Sequence, residues 1–205
     1  VSNKDAHGKK GCIVAIIKGT KARDVIKNLK KIDSLLLAQV KEVTLDFSES
    51  MHSIVKACFP NATITLDRFH HQQFCLEAVQ EVRIAFRREE MTRVANEREE
   101  FRLMLKAFGL SHSLRMIFSK RCSKEDGQKS LKKWYKEVGE YGNKAFNDIA
   151  AAMYDREDEI LNYFVNRSTN AAAESLNAKI KQFRAQLRGI IDRKFFLFRL
   201  TRIYA

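Results

Sequence analysis

Short β-branched runs alternate with amphipathic segments over the first 70 residues, and this alternation constrains the fold more than any other feature. The runs read "CIVAIIK" at 12–18, "EVTLD" at 42–46 and "ATITLD" at 62–67. Between them, residues 21–37 and 48–59 carry apolar side chains at helical spacing. Strand, helix, strand, helix, strand is typical of a parallel α/β sheet, and it predicts 12–18 as a buried central strand.

An aspartate ends two of the predicted strands, Asp46 in the first "TLD" and Asp67 in the second. Functional residues of parallel α/β sheets collect at the carboxyl ends of the strands. Aspartate at such a position also caps the helix that follows, and Ser48 or Ser50 would share that task at the first site. Both interpretations stay open on the sequence alone.

After residue 70 the periodicity is helical throughout. Leu76, Val79, Val82 and Phe86 mark one apolar face. Aromatic and aliphatic residues continue the pattern, and we expect them to lie mainly in the core: Trp134, Tyr135, Val138, Phe146, Ile149, Met153, Ile160 and Phe164. The chain should therefore be mostly helical around a small sheet.

A further helix is predicted between Ser168 or Thr169, which favour a helix start, and Gly189, which favours a stop. Its apolar stripe contains Ala173, Leu176, Ile180, Phe183 and Leu187. Its polar face contains Asn170, Glu174, Asn177 and Lys181, and Glu174 is its one carboxylate.

The basic surplus of the chain concentrates at its carboxyl-terminal end. The whole chain has a formal net charge of +13, and residues 176–205 hold eight Lys or Arg against one acid. A polyanionic partner, most often nucleic acid, suits this pattern, although a merely basic protein shows it too. The candidate DNA-binding residues are Lys179, Lys181, Arg184 and Arg188.

Cysteine usage and hydropathy place the chain in the cell interior. Cys12, Cys58, Cys75 and Cys122 stand singly, without a C-x-x-C pair, which predicts reduced thiols. No leader and no membrane-spanning apolar run appear in the sequence. We therefore expect a soluble intracellular protein with no membrane partner.

Two carboxylates on one parallel sheet and a third on a late helix suit divalent metal ions, which prefer hard oxygen ligands. Two such ions activate water or a 3′-hydroxyl and stabilise the leaving oxygen in phosphodiester cleavage. The neighbouring basic region would hold the DNA phosphates. His71 and Cys75 lie four residues apart, a spacing that also permits metal ligation, but without a second pair nearby.

Two blocks carry a family resemblance, "VTLDFSESMHSIVKACFPNATITLDRFHHQQFCLEAVQEVR" and "NRSTNAAAESLNAKIKQFR". They resemble the Asp-Asp-Glu (DDE) transposases of bacterial insertion sequences, specifically the insertion-sequence L-three family. The resemblance extends over roughly residues 3–203. It implies a ribonuclease-H-like fold in a bacterial, cytoplasmic and nucleoid-associated protein, with transposon ends and target DNA as partners and two Mg²⁺ or Mn²⁺ ions as cofactors.

The same resemblance implies roles for single residues. Asp46 matches the second catalytic aspartate and Glu174 the catalytic glutamate, so both would be catalytic and metal-binding. Asp67 becomes a motif residue of uncertain role, as do Arg68, His70, Asn170 and Asn177. Arg68 and His70 would contact DNA or orient Asp46, and a structural role for His70 is equally open.

The resemblance also predicts the domain organisation. Residues 1–74 would form a partial, truncated ribonuclease-H-like core and residues 75–160 a helical insertion. Residues 161–205 would supply the glutamate helix and a basic carboxyl-terminal helix. The family's first catalytic aspartate precedes the hairpin at which this sequence begins, and Asp5 lies in that turn. We therefore expect a transposase fragment that is inactive alone and whose open sheet edge favours a homodimer.

Three hypotheses follow for function. The first is a catalytic-domain fragment of a transposase, with Asp46 and Glu174 as its acids. The second is a DNA-binding or regulatory remnant without catalysis, and the third is a helical interaction module. Metal binding, salt-dependent DNA affinity and salt-insensitive self-association would distinguish the three.

Overall fold

The computed structural model describes residues 1–90, 97–187 and 192–205, with the backbone alone at 88–90 and 97–98. Two strands, β1 (Glu42–Leu45) and β2 (Thr63–Leu66), form a two-stranded parallel sheet. The helices are α1 (Ala22–Leu29), α2 (Ser34–Ala38), α3 (Glu49–Cys58), α4 (Arg68–Glu90), α5 (Glu97–Ser119), α6 (Lys124–Tyr141), α7 (Lys144–Asp155), α8 (Glu157–Asn166), α9 (Ala171–Gln186) and α10 (Arg193–Tyr204). The prediction of a mostly helical protein with a small parallel sheet is confirmed, and the ribonuclease-H-like assignment stays a prediction.

Two compact units divide the chain. Unit 1 comprises residues 1–43, 48–62 and 169–205, and unit 2 comprises residues 44–47 and 63–168. Unit 1 therefore contains α9 and α10, whereas unit 2 contains β2 and the helices from α4 to α8.

Unit 1 has two small apolar clusters. Helix α1 packs against α3, with Leu29 and Ile54 buried. Cys12, Ile13 and Leu176 form a second cluster, against which Ile180 and Tyr204 pack. Burying the apolar stripe of α9 in this way positions that helix on the amino-terminal segment.

The predicted central strand at 12–18 is wrong. Only an antiparallel bridge between Ser2 and Ile13 forms there within the described residues. The Ile13 N–H donates instead to the Tyr204 carbonyl (2.9 Å), and Val14 and Ile16 are about half exposed. A β-branched run becomes a strand only where a second extended segment pairs with it, and Ile13 has the end of α10 beside it.

The prediction of a single helix at 21–37 is also wrong, because two separate helices form there. Helix α1 ends at Leu29, and α2 begins at Ser34. The Asp33 side chain accepts a hydrogen bond from the Leu35 N–H (2.8 Å) and so caps a new helix. Aspartate competes with the helical backbone for its own hydrogen bonds, which explains the break.

Unit 2 is a helical assembly on a short strand. Helix α8 packs on β2, α4 on α5 and α7, and α6 on α5. The side chains of Asn162 and Asn166 extend from α8 to β2: Asn162 donates to the Ile64 carbonyl (2.8 Å) and Asn166 to the Thr65 hydroxyl (3.1 Å). The two asparagines thus provide hydrogen-bond partners for a backbone carbonyl and a side-chain hydroxyl of β2.

The predicted aromatic core of unit 2 is confirmed in most positions. Trp134, Val138, Phe146, Met153, Ile160 and Phe164 are buried. The apolar face predicted for α4 is partly wrong, because Val79 and Val82 are buried but Leu76 is 55% exposed. The buried stripe runs through Cys75 and Ala78 instead, which are smaller side chains that allow close helix packing.

Candidate functional site

The ends of β1 and β2 lie in register. The Asp67 N–H donates to the Leu45 carbonyl (2.9 Å), so the ladder continues one residue past β2. Asp46 follows Leu45 directly and is half-buried. The two aspartates of the repeated "TLD" therefore occupy the carboxyl ends of neighbouring strands, as the sequence predicts.

Asp67 caps α4. Its side chain is fully buried, and its Oδ1 accepts a hydrogen bond from the Phe69 N–H (3.3 Å). Its carbonyl accepts another from the His70 N–H (3.2 Å). The first backbone N–H groups of a helix have no partner within the helix. An N-cap aspartate accepts hydrogen bonds from them, as Asp67 does here. The capping interpretation thus accounts for the conformation of Asp67.

His71, rather than His70, is the buried histidine of this block. His71 has no exposed surface, and its ring meets Phe47 (4.8 Å between centroids) and Phe118 (5.5 Å) edge-on. Burial, followed by the neighbouring charge of His70, lowers the pKa of His71 to about 3. The ring is therefore neutral at physiological pH.

The His71 and Cys75 side chains are both fully buried on α4. Burial raises the pKa of the Cys75 thiol to about 12, so the metal-free thiol is protonated. Among the residues that the structure describes, no group of three or more His, Cys, Asp or Glu side chains is arranged to hold a metal ion.

Arg68 stabilises the end of α5. Its guanidinium donates to the Phe118 carbonyl (3.2 Å) and lies over the Tyr163 ring, 5.3 Å from the centroid. Arg167 donates to the same carbonyl (3.1 Å) and to that of Lys120. Carbonyls at a helix carboxyl end lack helical partners and carry partial negative charge, so two arginines here are favourable.

Sequence reasoning missed Arg167. The residue has a left-handed backbone conformation (φ 57°) directly after α8, which aims its side chain at α5. It stands in the "NRST" stretch that opens the glutamate block. The position directly after a helix is more often Gly or Asn. An arginine there, next to Asn166, was the signal in the sequence that could have identified Arg167.

The late helix begins slightly after its predicted start. Helix α9 starts at Ala171, whose N–H donates to the Thr169 hydroxyl (3.3 Å). The half-buried Asn170 precedes it, and its carbonyl accepts from the Glu174 N–H (2.9 Å). Glu174 is exposed in the first turn, where a negative charge interacts favourably with the helix dipole.

The polar face of α9 is open to solvent. Asn177, Lys179, Lys181 and Arg184 are all exposed. Lys179 also donates to the Gly8 carbonyl (3.3 Å). The predicted residue Arg188 and the predicted stop at Gly189 lie outside the described residues.

The two predicted metal-binding acids belong to different units, Asp46 to unit 2 and Glu174 to unit 1. Each is a carboxylate with accessible surface, so the donor chemistry fits a hard divalent cation such as Mg²⁺ or Mn²⁺. Their convergence on one ion stays a prediction.

No described helix is both long enough and apolar enough to cross a membrane. The described cysteines are all free thiols.

Comparison with known families gives one match. The model of the DDE ISL3 transposase family, described as "Transposase", matches residues 2–106 and 98–200. Asp46, Asp67 and Glu174 all lie within the matched residues. No curated protein and no solved structure matches the chain significantly.

Proposed function

We propose a function from one premise: the chain belongs to the DDE transposase family of the insertion-sequence L-three type. Membership of a transposase family implies interaction with DNA. The proposed reaction is metal-dependent cleavage of DNA phosphodiesters followed by strand transfer. The family match over almost the whole chain is the observation that carries this proposal.

Asp46 and Glu174 are the proposed metal ligands. When bound, divalent ions supply Lewis-acid activation of the attacking oxygen and stabilisation of the leaving oxygen. Asp46 follows a short, paired strand, and Glu174 lies in the first turn of a helix. Glu174 thus stands on a regular element and Asp46 directly follows one, which favours a defined ligand geometry.

Asp67, in contrast, is proposed to have a positioning role. Its buried carboxylate already accepts the Phe69 N–H, so it sets the direction of α4 from the end of β2. Arg68 and Arg167 then anchor the end of α5. Within unit 2 these contacts support the strand that lies beside the Asp46 end of β1.

The proposed DNA surface is the polar face of α9. Lys181 and Arg184 are exposed there, and each phosphate that a cation neutralises contributes about 0.9 to the slope of log affinity against log salt concentration. The Lys179 ammonium already donates a hydrogen bond to the Gly8 carbonyl, so we expect Lys179 to contribute less to the salt dependence. Arg188 completes the proposed set, outside the described residues.

Asp46 and Glu174 correspond to two of the acids that the family's chemistry uses. We therefore expect them to bind a divalent metal ion together. A bacterial, cytoplasmic and nucleoid-associated location and a homodimer belong to the same proposal.

Isothermal titration with Mn²⁺ tests the metal site. We expect the chain to bind Mn²⁺, and Asp46→Asn and Glu174→Gln each to weaken binding at least about tenfold, because each removes a ligand charge. Asp24→Asn is the control for Glu174, since Asp24 is also an acid in the first turn of a helix. Asp67→Asn, which keeps the cap, should bind Mn²⁺ like the parent.

Equal Mn²⁺ affinity in the parent and in both ligand variants would contradict the site. Weakening by Asp67→Asn with no effect of Asp46→Asn would reassign the first ligand to the other "TLD" sequence. Loss of binding in the Asp24→Asn control would show a nonspecific charge effect.

DNA binding without catalysis is the second candidate function. The observation that favours it is the net charge of +7 over residues 176–205. Anisotropy measurements with a labelled duplex should then show steep salt dependence and no requirement for Mn²⁺. Lys181→Gln should reduce the salt slope by about 0.9, and an unchanged slope would exclude Lys181 from the DNA surface.

A further inference from the structure

Two phenylalanines project from α10 into solvent. Phe195 is 57% exposed and Phe198 is 58% exposed, and their spacing of three residues puts them on one face of the helix. Phe196 and Leu200 are buried on another face, so α10 already has its packing contacts. The exposed rings are therefore an additional apolar surface on a helix that is anchored elsewhere.

Arginines lie against these rings. The Arg199 guanidinium is 5.1 Å from the centroid of Phe183 on α9 and 6.0 Å from that of Phe195. The Arg202 guanidinium is 5.9 Å from the centroid of Phe198. Cation–π contacts of this kind order long side chains over flat rings. We call the surface of Phe195, Phe198, Arg199 and Arg202 the aromatic–arginine platform.

Basic residues far outnumber acids in the part of the sequence that contains the platform. From residue 176 to the end of the sequence the single acid is Asp192. Its carboxylate caps α10 by accepting from the Lys194 N–H (2.8 Å) and the Phe195 N–H (3.2 Å). The surface thus combines exposed aromatic rings with unbalanced positive charge, which complements a polyanion.

We propose that the aromatic–arginine platform binds unpaired DNA bases by stacking, while its arginines contact the adjoining phosphates. Every base has a flat π-face that stacks on phenylalanine or on a guanidinium plane. In a duplex these faces are covered by neighbouring base pairs, so the platform selects single-stranded or unpaired nucleotides. The proposal rests on the proposed function, since it names the form of DNA that this family member holds.

A second copy of the chain fits the platform less well. A symmetric contact would oppose Arg199 and Arg202 to the same residues of the other copy, and like charges across an interface are unfavourable. DNA supplies flat base faces for the phenylalanine rings and negative charge for the arginines.

Anisotropy with labelled oligonucleotides tests this on the whole 205-residue chain. The probes are an oligothymidylate of about 15 nucleotides, an abasic strand of equal length and a blunt duplex. We expect the parent to prefer oligothymidylate over the abasic strand. The double variant Phe195→Leu, Phe198→Leu keeps apolar side chains but removes the rings, and should bind oligothymidylate roughly 5- to 100-fold more weakly. Its affinity for the duplex should not change.

The control is Phe101→Leu, which removes an equally exposed phenylalanine (62%) from α5. This variant should bind all three probes like the parent. Circular dichroism of each variant excludes unfolding as the cause of any loss.

Three results would overturn the proposal. Equal, salt-dependent affinity of the parent for oligothymidylate and the abasic strand would refute base stacking and leave the DNA interaction of the proposed function intact. Absence of affinity for any probe would refute the DNA partner itself. A dimer that dissociates in the double variant, with the oligothymidylate preference unchanged, would assign the platform to a second copy.

Discussion

Replacing His71 by leucine should remove an acid sensitivity from unit 2. The imidazole is fully buried between Phe47 and Phe118. Neither of its ring nitrogens has a hydrogen-bond partner among the described residues. A leucine has nearly the same size and carries no group that requires hydration, so the variant should fold.

The magnitude follows from the difference in pKa between the two states. In the unfolded chain this histidine titrates near its ordinary value of 6.5, whereas in the native protein burial lowers its pKa to about 3. Below pH 6.5 the unfolded state binds a proton that the native state does not, so the stability present above pH 6.5 is lost as the pH falls towards 3. At pH 4.5, two units below the ordinary pKa, the protein should therefore have lost about 2.7 kcal/mol of its free energy of unfolding.

Urea unfolding at pH 7.5 and pH 4.5 measures this loss. The fluorescence of Trp134, the one tryptophan of the chain, reports on unit 2, where His71 also lies. Between the two pH values the free energy of unfolding of the parent should fall by about 2.7 kcal/mol more than that of His71→Leu. His112→Gln is the control, because His112 is exposed on α5, and it should behave like the parent.

An equal loss of stability in the parent and in His71→Leu would show that His71 is not the origin of the acid sensitivity. It would mean that the native imidazole accepts a proton near its ordinary pKa, and hence that water or an acidic group reaches it. A destabilised His71→Leu variant at pH 7.5 would indicate that the ring makes polar contacts that leucine cannot replace.

Further substitutions in unit 2 test its helix packing and helix ends. Gly127→Ala should destabilise unit 2 by about 1–3 kcal/mol, because the added Cβ would lie 2.6 Å from the ring of Phe164. A Cβ added at Gly139 in the same helix meets open space. Gly139→Ala should therefore stabilise the protein by about 0.5–1 kcal/mol, as measured by thermal unfolding. Asp67→Ala should cost at least about 1 kcal/mol through loss of the cap, and Asp67→Asn clearly less, as urea unfolding will show; equal costs would exclude capping. Arg167→Lys should lower stability by about 1–3 kcal/mol, because an ammonium cannot reach two carbonyls in the fixed geometry of a guanidinium; an unchanged urea midpoint would refute that role.

Several elements could be predicted from the sequence because their signals are local. The strands that end at Leu45 and Leu66 and the helix at 49–58 follow from β-branched runs and helical spacing of apolar residues. The residues that resemble the family motif blocks also lie in the matched family segments. The positions of Asp46 and Asp67 after their strands followed in the same way.

Other features could not be predicted because they depend on distant parts of the chain. The run at 12–18 has the composition of a buried strand, yet its Ile13 N–H pairs with Tyr204 at the other end of the sequence. Leu76 has the character of a core residue, but Cys75 and Ala78 face the interior of unit 2. Composition predicts that a segment prefers burial or extension and does not specify its partner.

The helical content, the basic carboxyl-terminal region and the family follow from the amino-acid sequence alone. Each depends on residues close together in the chain, since helix hydrogen bonds join residues four apart and net charge requires no fold. The burial of His71 and the meeting of Arg68 and Arg167 at Phe118 depend instead on the packing of the folded chain. The two arginines contact a residue about 50 positions away in the chain, and such contacts exist only once the helices have packed.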